Sequence, residues 1–595
     1  MTEDMKPKQT TLILGGSNGT KTLVSILGDK SNPENDGHVI RVVSRSPETF
    51  LDTNSKPILW TCNEQKAFSN LAPFDFFPKS WRSHAGRPDG VFGYSELEAA
   101  LTGIGAQDDG EAADVCLLCC PVHAHLQILR KIARALYDLN ARELLTSDKP
   151  LLIGTLYAGG GFDWMSRIAF CVEKPVGFKG WSRPLALFGL RSFPYLCKSM
   201  EPGKVTLYGR FPQIQTAVTP CTPYTRYIVK ALLGRVLQCS QTKIQIDFLG
   251  ISSTNSNGGD GSGQIADLSY NHFLAADRAT ALPRPRPSTA DLADPHCSLG
   301  FLGCTLNSTN QLLHPTIIYE LFKEGFASWP NDGSRPPLPR FYADGATPAV
   351  GRLITEIGAI ECYPILYTLD ALLSPDGTQP ISCCHGGEPV GRFLLTVAGN
   401  SPKKLAQRSR MTDCIAFKEH RQSADIEICR PKFNFRPLFE FMLYFGLSRN
   451  ARLGSVLSPA YRDPNDPAKI LPNTKTRFFI DDVPHGLCIF LGIAELLGLD
   501  LEKHTPETLR LVRKLQSWMG KQYVLPEKNP YLRVVADAKD LKETSSPQAF
   551  GVYSIDDLKT FLSMSPFGLN KKSVMEDRVR SSPMVGLDAF THSKI

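Results

Sequence analysis

The sequence predicts an α/β first domain built on a parallel sheet, followed by a mainly α-helical second domain. Three observations predict it. A short apolar strand, Thr10–Leu14, runs into the glycine turn Gly15-Gly-Ser-Asn-Gly19 and then an amphipathic segment, Thr20–Leu27. A continuous apolar run, Asp114-Val-Cys-Leu-Leu-Cys-Cys-Pro121, is what a strand covered on both faces of a parallel sheet requires. From His314 onward strand-like patterning gives way to helical periodicity, notably over Pro348–Leu373, Phe435–Leu447 and Val483–Leu499.

Size and composition bound the answer further. A chain of 595 residues with 42% hydrophobic and 21% charged residues has ordinary globular composition and room for several domains. The net charge of +7 is small for this length, and no Lys/Arg cluster alternates with aromatics, so a nucleic-acid partner is not indicated. The 16 cysteines are scattered through apolar runs, and Cys383-Cys384-His385 is adjacent rather than spaced for a metal; no disulfide framework or metal site is expected. Met1–Gln9 is polar, without an apolar signal core, and no run is long and apolar enough to span a bilayer. A cytoplasmic protein with no membrane partner is the expectation. The final Ser593-Lys-Ile595, one residue away from a peroxisomal address, supplies the alternative.

Taken in order, the chain starts with a polar tail, 1–9, and a first domain over 10–250. Strand, glycine turn and helix form the entry to a Rossmann-type unit, where backbone N–H groups at a helix N-terminus hold a pyrophosphate. Gly15, Gly16, Ser17, Asn18 and Gly19 are the candidates, although Ser17 and Thr20 stand where the usual spacing has smaller residues; a plain glycine turn before a helix is the competing reading. The second strand, Val39–Val43, ends in Ser44-Arg45-Ser46, where an NAD-selective fold places an acid for the ribose hydroxyls. A guanidinium there can pair with a 2′-phosphate, which favours NADP(H) with NAD(H) as the second possibility; the bland alternative is a solvated arginine. The aromatic, proline-rich Phe74–Pro78 is assigned only as loop or edge strand. After the strand ending at Pro121, His123 and His125 precede a helix over Leu126–Leu136, and their spacing fits no common zinc site. A further strand, Leu151–Gly154, leads to the glycines of Tyr157–Trp164, and another strand and turn follow over Leu185–Tyr195.

Residues 251–300, rich in Ser, Asn, Gly and Pro, are expected as a flexible insertion. The helical domain follows over 301–563, with a second insertion at about 374–432, a helix starting near Thr505-Pro-Glu507 and another over Ile555–Leu562. The remainder, 564–595, reads as a disordered tail. Two stretches of the helical domain carry chemistry. His314 precedes Pro315, which is expected to open a helix; Arg477 through Leu487 packs a guanidinium, two carboxylates, a proline and a glycine together. Alone, His314 reads as a core histidine and Asp481-Asp482 as a solvated turn.

Together these stretches resemble a known family. Over most of its length the chain resembles the opine dehydrogenases, the group containing octopine dehydrogenase. The resemblance rests on the glycine turn at 15–19, the strand ending at Pro121, Gly161-Phe-Asp-Trp164, Phe193-Pro194, Asn310 with His314-Pro315, Phe341-Tyr342, Arg477 with Asp481-Asp-Val-Pro484 and Gly486-Leu487, Met519-Gly-Lys521, and Pro547-Gln-Ala-Phe-Gly551. It implies a Rossmann-type first domain, a helical second domain, and NAD(P)H-dependent joining of an amino acid to a 2-oxo acid through an imine. It also implies a catalytic dyad at His314 and Asp482, with substrate contacts at Arg477, Asn310 and Arg191 and the cofactor near Pro121. Members that use arginine carry an acid near the position of Arg191, so an acidic or neutral amino donor is expected here. A monomer or homodimer is expected. Two other readings remain: a related two-domain 2-oxo acid dehydrogenase needing no amine, and a nucleotide-binding regulator without catalysis.

Overall fold

The computed structural model describes residues 9–64, 83–104, 111–145, 147, 149–210, 213–237, 245–248, 300–306, 309–323, 327–330, 333, 336–373 and 456–564. The Phe74–Pro78 patch, the insertions expected at 251–300 (Gly300 apart) and 374–432, the helix expected over Phe435–Leu447, and both tails (Gln9 and Met564 apart, with the Ser593-Lys-Ile595 terminus) lie outside the described residues. The chain divides into two compact units, one drawn from Met1–Ser288, Leu299–Thr305 and Met564–Lys571, the other from Thr289–Ser298, Leu306–Ser563 and Lys572–Ile595.

The first unit contains twelve strands among the described residues: β1 (Gln9–Leu14), β2 (His38–Ser44), β3 (Trp60–Glu64), β4 (His84–Gly86), β5 (Gly90–Gly93), β6 (Val115–Leu118), β7 (Leu151–Thr155), β8 (Leu185–Leu190), β9 (Tyr195–Glu201), β10 (Lys204–Arg210), β11 (Gln213–Thr219) and β12 (Gln245–Phe248). Eight form one sheet in the order β12-β11-β8-β7-β6-β1-β2-β5. From β8 to β5 every pairing in it is parallel, and β11 joins antiparallel to β8. All six residues of β1 and all four of β6 are buried, as a sheet covered on both faces demands. The sequence left residues 51–110 largely unassigned; here β3 and β4 build a second, four-stranded sheet with β10 and β9, and β5 supplies the far edge of the main one. Short strands whose pairing depends on partners elsewhere in the chain, as β3 depends on β10, carry little local signal.

Among the described residues five helices accompany these strands: α1 (Asn18–Leu27), α2 (Leu97–Thr102), α3 (His125–Ala141), α4 (Phe162–Arg167) and α5 (Pro223–Leu237). α3 buries Leu126, Ile128, Leu129, Ile132, Leu136 and Leu139 at helical spacing and runs five residues past the expected end at Leu136. The short α6 (Phe301–Thr305) also belongs to this unit, beyond the expected domain boundary at residue 300. Phe301 packs 6.2 Å from Phe162, centroid to centroid, and Thr305 Oγ1 accepts a hydrogen bond from Asp163 N at 2.8 Å. Those contacts, together with packing on β8 and β11, tie it to this unit, and composition cannot reveal them.

The second unit is mainly helical among the described residues, as expected. Its helices are α7 (Thr309–Phe322), α8 (Pro348–Thr355), α9 (Tyr363–Leu373), α10 (Arg477–Ile480), α11 (Cys488–Leu496), α12 (Leu501–His504), α13 (Pro506–Met519) and α14 (Ile555–Ser563). A π turn, Glu356–Cys362, joins α8 to α9, and another, Val483–Leu487, leads into α11. A small antiparallel sheet, β13 (Ala327–Ser328), β15 (Lys469–Pro472) and β14 (Ala460–Arg462), was not foreseen. Glu361, buried in the first π turn, accepts from Glu507 N and Thr508 N at 2.8 Å each and so caps α13 from a distant part of the chain. Among the described residues no helix is long and apolar enough to cross a membrane.

One expectation about α7 is corrected. Pro315 does not open the helix but lies inside it, as the seventh residue counted from Thr309. Without an N–H it leaves the Gln311 carbonyl without its usual helical donor, a defect costing about 3 kcal/mol in an exposed helix. Residues from Gln311 to Tyr319 are buried, and Thr316 Oγ1 donates to the carbonyls of Leu312 and Leu313 at 2.9 and 2.8 Å. Packing on all sides outweighs the broken ladder, and His314 sits directly at the break.

Candidate active site

In the first unit, β1, the glycine turn and α1 build the candidate nucleotide-binding end. Gly15 has φ +134°, and a Cβ there would fall 2.3 Å from the Cys119 carbonyl oxygen, so only glycine fits this turn beside β6. The two departures from the usual spacing are absorbed inward. Ser17 Oγ donates to the Cys119 carbonyl at 2.9 Å and accepts from Thr20 N at 3.3 Å, capping α1, while the buried Thr20 Oγ1 donates to the same carbonyl at 3.4 Å. Neither hydroxyl occupies the outer face of the turn. Gly16 and Asn18 are exposed, the first turn of α1 carries no acid, and a Cβ on Gly19 would strike Cys119 Sγ at 2.7 Å. The residues present therefore fit a pyrophosphate held by backbone N–H groups at a helix N-terminus.

At the C-terminal end of β2, Ser44 is buried, and its Oγ accepts from Ser46 N at 3.1 Å. Arg45 and Ser46, just past β2, are exposed, and no acid stands among Ser44, Arg45 and Ser46. Pro121, exposed, follows β6 and introduces the turn Val122–Ala124. His125 is buried, edge-to-face against Phe162 with ring centroids 5.5 Å apart. Arg191, also in this unit, donates to Gln215 Oε1 at 2.7 Å.

The second unit brings His314 and Asp482 together across 168 positions. His314 Nδ1 lies 2.8 Å from Asp482 Oδ2, and both side chains are almost fully buried. Burial pushes the Asp482 carboxyl above the ordinary carboxylate range; the charge and hydrogen bond of His314 oppose that shift, Asp481 adds to it, and Arg477 opposes it. The dyad forms because α7 and the π turn approach unusually closely. A Cβ on Gly486 would fall 2.1 Å from Cβ of Gln311, so the glycine of the Asp-Val-Pro-His-Gly run is what lets the histidine helix reach the aspartate. The π turn of Val483–Leu487 runs directly into α11, within the Val483–Leu499 stretch whose periodicity predicts a helix.

Aromatic rings enclose the imidazole. Phe478 stands edge-on at 4.6 Å between centroids and Phe341 at 5.8 Å. Arg477 opens α10, exposed, with its guanidinium 5.5 Å from the centre of the Phe478 ring. Asn310, exposed, lies in the first turn of α7, one helical turn ahead of His314. Asp481 is buried beside Asp482, and its carbonyl accepts from His485 N at 3.0 Å inside the turn. One neighbour was not singled out from the sequence: Tyr342, whose hydroxyl lies 2.8 Å from His314 Nε2. Its signal was the Phe341-Tyr342 pair, quoted as part of the resemblance and given no role. Among the described residues no group of three or more His, Cys, Asp or Glu side chains could hold a metal.

No protein-family model matches the chain. Tauropine dehydrogenase of Arabella iricolor is 22% identical over 272 residues, 44% of this chain and 51% of that protein, so the chain spans about half the length of this curated relative. Among solved structures, octopine dehydrogenase with NADH and L-arginine superposes with a TM-score of 0.50 at 16% identity, covering 93% of this chain and 98% of that one. Yersinopine dehydrogenase with NADP+ aligns at 14% identity over 97% and 99% of the two chains, with a TM-score of 0.41, too loose to carry an argument. At such identities the structural likeness speaks for the fold alone. The chain is thus similar to the opine dehydrogenases, in fold to octopine dehydrogenase and over a stretch of its sequence to tauropine dehydrogenase.

Proposed function

We propose that the chain is an NAD(P)H-dependent oxidoreductase acting on a CH–NH bond, which condenses an amino acid with a 2-oxo acid and reduces the resulting imine. The observation that carries this reading is the buried pair of His314 and Asp482, 2.8 Å apart in a cage of aromatic rings. Condensation expels the carbonyl oxygen as water and needs an acid, while the reverse reaction needs a base; an imidazole can serve as either. Asp482 holds Nδ1–H, orients the ring and stabilises the imidazolium that forms. Arg477 is suited to fork a substrate carboxylate and so orient the carbon beside it, with Asn310 as a second polar contact. Arg191 would favour an acidic or neutral amino donor over a cationic one.

The nicotinamide nucleotide, when bound, supplies the hydride. Gly15, Gly16, Ser17, Asn18 and Gly19 would hold its pyrophosphate, Pro121 would border it, and Ser44, Arg45 and Ser46 would take the 2′-phosphate of NADP(H) in preference to NAD(H). The same reading expects a monomer or homodimer in the cytoplasm, with the peroxisome as the alternative address.

The test is NADPH and NADH oxidation with pyruvate or 2-oxoglutarate, with and without a panel of acidic, neutral and basic amino acids. Oxidation that requires both partners is expected. Oxidation with the oxo acid alone would replace this reading with a simple 2-oxo acid reductase, and none under any combination would leave a nucleotide-binding protein without this chemistry.

A further inference from the structure

His314 has both ring nitrogens engaged. Nδ1 faces Asp482 Oδ2 and Nε2 faces the phenol oxygen of Tyr342, each at 2.8 Å. A neutral imidazole whose Nδ1–H points at a carboxylate presents a lone pair at Nε2, and a phenol, with an ordinary pKa of ~10, is the donor that meets it. In the imidazolium form the direction reverses: Nε2–H donates to the phenol oxygen, and the phenol's own hydrogen turns outward. A proton entering or leaving Nε2 must therefore pass through this hydroxyl or displace it.

The hydroxyl is delivered there by contacts that do not involve it. Phe341 N donates to the Val456 carbonyl at 2.6 Å, and Ala346 N donates to the Tyr342 carbonyl at 3.2 Å. Asp344 clamps the turn from the other side, accepting from Arg340 N at 2.7 Å and from the Arg340 guanidinium at 3.0 and 3.2 Å. Gly345 lets the turn lie against α7, since a Cβ there would fall 2.9 Å from Ile317 Cγ2. Tyr342 itself is 6% exposed, and its ring stands 4.9 Å from Phe341, centroid to centroid. A phenol fixed this firmly on the one nitrogen available for acid–base work is placed for proton transfer.

We propose that Tyr342 is the relay through which His314 exchanges protons with the substrate. The inference rests on the proposed function. In the condensing direction the phenol gives its proton to the hydroxyl oxygen of the carbinolamine as the C–O bond breaks, water departs and the C=N bond forms. The phenol oxygen takes the proton of His314 Nε2 in the same movement, leaving a neutral imidazole that accepts from a neutral phenol. In the oxidative direction water adds to the imine carbon and the two protons move back.

The test compares wild type, Tyr342→Phe and His314→Ala with the amino-acid and oxo-acid pair found active. Tyr342→Phe keeps the ring and removes only the oxygen. It is expected to lower kcat by about a hundredfold or more, the range of general acid–base assistance, while the Kd for NADPH stays within about twofold of wild type. On the wild-type enzyme, the dependence of kcat on the fraction of D2O is expected to be curved, because two protons move together. A kcat for Tyr342→Phe within about threefold of wild type, or a linear D2O dependence in the wild type, overturns the relay. If His314→Ala abolishes turnover while Tyr342→Phe does not, the relay alone fails; if neither changes turnover, the proposed function fails with it.

Discussion

Replacing Gly486 with alanine should dismantle the site by steric means alone. The added Cβ would fall 2.1 Å from Cβ and 2.2 Å from Cγ of Gln311, where two carbons rest at ~3.5–4.0 Å, so the π turn and α7 must part by roughly 1.5 Å. Gln311 is buried and lies three residues before His314 on the same helix, so α7 cannot retreat without carrying the imidazole with it. A shift of that size takes the 2.8 Å bond between His314 and Asp482 beyond hydrogen-bond range. Overpacking of this kind costs about 1–3 kcal/mol, and a misplacement of ~1 Å at reacting groups costs about a hundredfold in rate. The assay pairs thermal unfolding with turnover on the active substrate pair, and a second variant adds Gln311→Gly, which removes the atoms that are struck. Partial recovery of turnover in the double variant is expected, less ~1 kcal/mol of stability for glycine inside a helix. Wild-type turnover and Tm in Gly486→Ala would refute the close-approach argument outright.

The other outcomes are simpler to state. His314→Ala and Asp482→Asn should each lower kcat, the second by as much as ~10⁴ if the carboxylate acts as the orienting acid does in a protease triad, with NADPH affinity nearly unchanged; near-normal turnover in both removes the dyad. Arg45→Ala should erase a preference for NADPH over NADH in KM, and an equal preference in both proteins would show that Arg45 reads no phosphate. Glu361→Ala strips the acceptors from Glu507 N, Thr508 N and the Thr508 hydroxyl, and about 3 kcal/mol of destabilisation is expected, read as a fall in Tm. Because burial raises the Glu361 carboxyl, the folded chain binds that proton more tightly than the unfolded one. Its contribution is complete below the ordinary glutamate pKa of ~4.3 and is lost as pH rises through the raised value. The Tm of wild type relative to Glu361→Gln should therefore decline from pH 4 towards pH 7, and a relative Tm that rises over that range contradicts the sign.

Much of the first unit was legible because its signals are local. A strand buried on both faces must be apolar throughout, and β1 and β6 are; a turn with φ +134° at Gly15 excludes side chains, and glycine stands there. The helices around Val483 and Pro506 announced themselves through apolar spacing and a first-turn proline. What escaped was non-local. β3, β4 and β5 owe their existence to neighbours elsewhere in the sheet order, and α6 joins the first unit through contacts with β8, β11, Phe162 and Asp163 rather than through any property of its five residues. Pro315 misled because a proline's local preference is for a helix start, whereas burial of α7 on every side outweighs one missing hydrogen bond.

The sequence by itself determined the order of the two architectures, the position of the glycine turn and the residue types that could do acid–base work at 314 and 477–487, since each depends on chemistry within a few neighbouring residues. Only the tertiary structure decided that Nδ1 of His314 meets Asp482, that Gly486 is the residue permitting it, that Ser17 and Thr20 turn their hydroxyls inward, and that Tyr342 stands on the remaining ring nitrogen. A hydrogen bond between residues 168 positions apart is set by how helices and turns pack, and packing is a property of the whole unit that no local pattern encodes.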